Sequence, residues 1–140
     1  MTKLRIIFIC RHNVFRSRVA EAYFKQINKN KNIEVSSGGL IKGKSFMNLS
    51  KNEIIAIKEE NIKFISQPKN LTTNFLAKQN LTIIVANDVP ISLFNNKEYN
   101  KKVVQWKIPD VLDNDKEKSL KTIRLIKNKV QQLVGELKWI

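Results

Sequence analysis

One cysteine, Cys10, stands in a chain of 140 residues. That scarcity excludes an intramolecular disulfide framework and a zinc site built from several cysteines. No apolar run approaches the roughly 18 to 20 residues needed to cross a bilayer. The opening stretch MTKLRIIFIC has a short apolar run, no small-residue cleavage site and Arg11 directly behind it. It therefore reads as a strand and not as a signal peptide. A cytoplasmic protein with no membrane attachment is the expectation, and the glycosylation-like triplets at Asn48, Asn70 and Asn80 then carry no meaning. Acidic residues are also scarce, 12 Asp and Glu against 26 Lys and Arg, for a net charge of +14. Only five of the basic residues are Arg, and the lysines are scattered with no block of like charges. Lys, Asn and Ile are abundant together, as AT-rich coding produces, so the excess reads as a solvated surface without specific nucleic-acid binding. Repeats, linkers and low-complexity blocks are absent. A length of 140 residues, 42% hydrophobic and 27% charged, fits a single domain over 1–140 with a real core.

The apolar runs that do exist are short and rich in β-branched residues. Leu4–Ile9 and Leu81–Ala86 read as strands covered on both faces. Ile33–Ser36 and Lys102–Trp106 read as two shorter strands, with Ser37-Gly38-Gly39 turning the chain away after the first of them. Helical spacing follows Ser17 to about Asn28, with Ser17 as its cap. It recurs at Ile54, Ile55 and Ile57 behind a cap at Asn48 or Ser50, with Asn61 closing that helix. A short helix is expected around Asn74 to Lys78 and one turn at Pro90–Phe94. Lys116 to about Lys138 carries a long apolar stripe from Leu120 to Leu137, with Asp115 suited to cap it. Strands alternating with helices imply an α/β fold with a parallel sheet. In such a sheet Cys10, Ser36, Asn87 and the loop after Trp106 share the carboxyl rim, where ligands bind.

The segment FICRHNVFRS concentrates the chemistry. A strand, a six-residue loop and a helix start present backbone N–H groups with no intrahelical partner, aligned with the positive end of a helix dipole. Those donors make an anion site. A cysteine at its base has its thiolate favoured, and the thiolate is the nucleophile. Arg16 can hold two phosphate oxygens with its planar fork. Ser17 can donate a hydrogen bond to the sulfur.

The spacing Cys10-x5-Arg16-Ser17 after a buried strand resembles the loop of the low-molecular-weight protein tyrosine phosphatase family, whose relatives include thioredoxin-coupled arsenate reductases. Arg18–Phe24, Val35-Ser36-Ser37-Gly38, Glu60-Asn61-Ile62 to Ser66 and Trp106–Asp110 resemble further family segments in the same order. The resemblance implies a three-layer sandwich around a four-stranded parallel sheet, with the phosphate loop after the first strand. It implies a phosphomonoester hydrolase that works through a phosphocysteine on a phosphorylated protein or small phosphomonoester. Such an enzyme needs no metal and no cofactor, and is a monomer or weak dimer. Cys10 would be the nucleophile, Arg16 the transition-state cation and Asp110 the general acid, with Asp113 and Asp115 as alternatives and Asp88 ranked below them. Arg11, His12, Asn13, Val14, Phe15, Arg16 and Ser17 would hold the phosphate. Asn13 in a left-handed conformation, with Ser17 and Ser36, would support the loop.

This chain departs from the family pattern at several points. His12 stands where the loop has glycine, and Phe15 where it has a second cysteine. Val111 follows Asp110 where proline is usual. No second thiol is present to resolve an adduct on Cys10, which counts against an arsenate reductase. The aromatic wall for phosphotyrosine is missing or rebuilt from Phe15 or Phe46, and Arg11 favours a substrate with extra negative charge. The alternative reading is a non-catalytic phosphate- or phosphopeptide-binding relative. A basic nucleic-acid-binding domain ranks below it.

Overall fold

The computed structural model describes residues 3–41, 49–63, 67–94, 102–111 and 114–138. Four strands, β1 (Leu4–Cys10), β2 (Ile33–Gly39), β3 (Leu81–Val85) and β4 (Val103–Trp106), form one parallel sheet in the order β2-β1-β3-β4. Helices α1 (Arg16–Ile27), α2 (Lys51–Glu59) and α4 (Lys116–Leu137) cover one face, and the short α3 (Thr73–Ala77) with a 3-10 turn at Ile91–Phe94 covers the other. Alternation along β1 divides the core accordingly. Ile6 and Phe8 pack toward α1 and α4, while Ile7 and Ile9 pack toward Leu76 and Phe94. Both sets are fully buried, which is why the strand reads as continuously apolar.

The chain runs from β1 to one neighbour, β2, and then returns to the other side of β1 for β3. The carboxyl end of β1 is therefore a topological switch point, where a parallel sheet leaves a crevice. Cys10 is its last residue.

Helix ends follow the expected chemistry at three places. Ser50 and Glu53 form a reciprocal capping box at α2, Asp115 caps α4 through the Lys118 amide, and Asn61 ends α2 with φ 57°. Two expectations fail. Ser17 is not a cap: α1 starts at Arg16, its N-cap is Phe15 with no side-chain bond, and the Ser17 hydroxyl turns inward. Nor do Ser37, Gly38 and Gly39 turn the chain away: they are the last three residues of β2 and stay paired with β1, Gly39 opposite Cys10. A glycine inside a strand also marks close backbone approach, and Gly39 has that role.

Candidate active site

Cys10 is buried at the floor of a cavity of about 190 Å³ lined by Arg11, His12, Val14, Phe15, Arg16, Glu53 and Asp110. The amides of Arg11 to Phe15 donate to no backbone carbonyl among the described residues. Unpaired donors in a row are an anion-binding concavity. The loop is held from several sides. Asn13, fully buried with φ 56°, donates from Nδ2 to Ser17 Oγ at 2.6 Å, and its Oδ1 accepts from the Lys69 amide at 2.8 Å. The Arg18 guanidinium donates to the Val14 carbonyl at 2.9 Å. Desolvation lowers the pKa of Arg18, and the nearby charges of Glu21 and Cys10 act in the opposite direction.

The direction of one hydrogen bond follows from another. Ser17 Oγ lies 3.0 Å from Cys10 Sγ. Because the Asn13 amide can only donate, Ser17 accepts there and is left to point its own proton at the sulfur. A hydroxyl donor on sulfur favours the thiolate.

Gly39 fixes how near the loop can come to β2. A Cβ on it would lie 2.7 Å from the His12 carbonyl carbon and 2.9 Å from the Asn13 nitrogen. Both are backbone atoms, so the loop itself would have to shift. Gly39→Ala is expected to cost about 1–3 kcal/mol in thermal or chemical unfolding and to weaken phosphate binding as well, because the displaced amides no longer converge. Unchanged phosphate affinity in a folded variant would show that the contact does not shape the loop.

Arg16 is almost fully buried. Its Nη1 donates to the Ile108 carbonyl at 2.9 Å and pairs with Asp88 at 2.9 Å. Its Nε lies 3.9 Å from Asp110. Burial pushes the Asp88 carboxyl up, but the hydrogen bond and charge of Arg16 outweigh it, with Arg11 adding a smaller effect, so the pKa lies below its ordinary 3.8. Asp88 is thus the ion-pair partner of the buried arginine. On sequence alone it is a rim aspartate and a lesser candidate for the acid. A rim position cannot show that a buried guanidinium needs a counter-ion.

The structure brings Cys10, the 11–16 loop and Asp110 into one cavity. Asp115 is spent on the α4 cap, and Asp113 and Phe46 lie outside the described residues. Phe15 lines the cavity but is itself core. His12 contributes a buried Nδ1 with no hydrogen-bond partner among the described residues. Ser36 does not support Asn13. It lies opposite Ile7 in β2, three residues before Gly39, and lines a separate cleft with Arg5 and Phe75. The Lys69 amide does the work expected of it. The neighbouring Ser37 instead donates to buried Glu21, which Lys25 also pairs with at 2.6 Å, tying α1 to β2. The Lys69 amide carries no motif, and the Arg18–Phe24 resemblance does not reveal what Arg18 and Glu21 touch, because those partners are the Val14 carbonyl and Ser37. Glu53 was hidden differently, since its helix cap already accounts for an acidic residue at that position.

A thiol facing unpaired amides, with a buried arginine beside it and a carboxyl on the rim, is the equipment of phosphoryl transfer by way of cysteine. The chain belongs to the low molecular weight phosphotyrosine protein phosphatase family, whose model matches residues 5–139. That is a family of cysteine-based phosphatases acting on phosphorylated substrates. Similar solved structures include a low molecular weight phosphotyrosine phosphatase from Vibrio cholerae (19% identity, 95% of each chain, TM-score 0.83). They also include the YwlE arginine phosphatase from Geobacillus stearothermophilus (18% identity, 96% of this chain and 93% of that one, TM-score 0.80). An arsenate reductase from Archaeoglobus fulgidus is 22% identical over 93% of this chain and 98% of its own, with TM-score 0.70. At these identities the likeness is one of fold. No curated protein sequence matches the chain. Among the described residues no helix is long and apolar enough to cross a membrane.

Proposed function

We propose that the protein hydrolyses phosphate monoesters on proteins, tyrosine phosphate foremost, through a phosphocysteine at Cys10. The observation that carries this reading is the Asn13–Ser17–Cys10 chain of hydrogen bonds under a loop of unpaired amides. In the first step the Cys10 thiolate attacks phosphorus, the bond from phosphorus to the ester oxygen breaks, and that oxygen takes a proton from Asp110. Arg16 and the loop amides hold the equatorial oxygens as charge moves outward. In the second step water attacks the phosphocysteine, gives a proton back to the Asp110 carboxylate, and the departing thiolate returns to its donor Ser17.

Turnover of p-nitrophenyl phosphate, with a phosphoryl group found on Cys10 by rapid quench and mass spectrometry, tests this. Turnover without label on Cys10 would overturn the route, and phosphate binding without any turnover would make the protein a binding relative. Asp110→Asn supplies a second check. Its kcat for phenyl phosphate should fall about 10²-fold, and that for p-nitrophenyl phosphate much less, because only the poorer leaving group needs the proton. Equal losses on both esters would remove Asp110 from the acid role. A second reading, removal of phosphate from arginine, draws on the arginine phosphatase among the similar structures and on a second carboxyl, Glu53, lining the cavity. Assay of phosphoarginine beside phosphotyrosine separates the two.

A further inference from the structure

The cavity around Cys10 is lined by charges of both signs, Arg11 and Arg16 against Glu53 and Asp110. Arg16 and Asp88 pair with each other, and Arg11 adds its positive charge to the field at Asp88. Asp110 and Glu53 line the same cavity, and they are two carboxyls close enough to repel. Asp110 has Arg16 within 3.9 Å to offset it. Glu53 forms no ion pair with Lys or Arg among the described residues. Its Oε1 accepts only the Ser50 amide, at 2.8 Å. Burial pushes its carboxyl up, and the neighbouring Asp110 charge pushes the same way while the Ser50 hydrogen bonds oppose. A carboxyl so placed is relieved by any cation that arrives with the substrate.

We infer that Glu53 is a specificity-determining residue that receives a positive charge carried beside the phosphoryl group, so that phosphopeptides with Lys or Arg next to the phosphorylated side chain are the favoured substrate class. This rests on the phosphatase reading and deepens it.

The substitution Glu53→Gln separates this role from the helix cap, because a glutamine carbonyl can still accept from Ser50 while the charge is gone. The wild type and E53Q would be compared on two phosphotyrosine peptides that differ only in Lys or Glu beside the phosphotyrosine, with p-nitrophenyl phosphate as control. The wild type should favour the Lys peptide in kcat/KM by about fivefold, the size of one partly screened ion pair, and E53Q should bring the ratio close to one. The preference should shrink in high salt. Turnover of p-nitrophenyl phosphate with no peptide preference in the wild type would overturn the inference and leave the phosphatase reading standing. So would a preference that E53Q leaves intact, or an equal loss on all three substrates. Failure of every substrate would instead strike the phosphatase reading itself.

Discussion

Cys10→Ser should lower turnover of any phosphate monoester by at least about 10⁴-fold while leaving phosphate binding in place. The two halves of this expectation come from different atoms. A serine hydroxyl holds its proton far more tightly than a thiol, and the Ser17 donor that favours a thiolate does little for an alkoxide, so the nucleophile is lost. The amides of the loop and the Arg16 fork are untouched, so the oxyanion still has its partners. Binding should even tighten slightly, since a negative sulfur no longer faces the phosphate. The fold should tolerate the change, because Ser is nearly isosteric with Cys and its hydroxyl can keep the 3.0 Å contact to Ser17. Turnover and phosphate affinity of both the wild type and the variant are the measurements. A variant that stays active would make Cys10 a structural thiol, and one that loses phosphate binding would mean that the sulfur itself organises the loop.

The parts legible in the sequence are those whose cause is local. β1 announces itself because both its faces are buried, α2 and α4 because Ser50 and Asp115 cap them, and the loop because its nucleophile and arginine keep a fixed spacing. Gly39 and Asp88 show why the rest was not. Each answers a neighbour distant in sequence, the His12 backbone in one case and Arg16 in the other. Residue type then misleads. Two glycines at a strand end read as a turn, and an aspartate after a strand reads as an acid. Ser36 failed for a related reason. Its position follows from the register of β2, and carrying the loop contact three residues further on, to Gly39, lets the Lys69 amide take the place of a side chain. Glu53 is subtler, because one complete local explanation concealed a second position on the cavity wall.

Replacing Arg16 tests both the chemistry and its buried support. Arg16→Lys keeps one charge but cannot reach Ile108, Asp88 and two phosphate oxygens at once, since an ammonium is a single point with no planar fork. Losing two charge-assisted hydrogen bonds in the transition state should cost about 4 kcal/mol, close to 10³-fold in kcat. A loss under tenfold would mean that the loop amides alone carry the transition-state charge. Arg16→Met isolates the electrostatics of Asp88. In the wild type Asp88 is more acidic folded than unfolded, so the unfolded chain binds more protons in acid, and the contribution of the pair is present above about pH 5 and lost as pH falls through the lowered pKa. Without the guanidinium, burial, the largest influence on Asp88, still raises its pKa, and only the Asp88 backbone hydrogen bond and the smaller Arg11 charge still lower it. The folded-state pKa of Asp88 is therefore higher in the variant than in the wild type, and the stability that the lowered pKa contributes in the wild type above the carboxylate range is diminished. The stability difference between wild type and Arg16→Met should therefore widen from about pH 4 to pH 6, as read by denaturant unfolding at each pH. A difference that stays flat across that range would mean that Asp88 finds water or another cation when Arg16 is gone, and that the arginine is held in place chiefly by the Ile108 carbonyl.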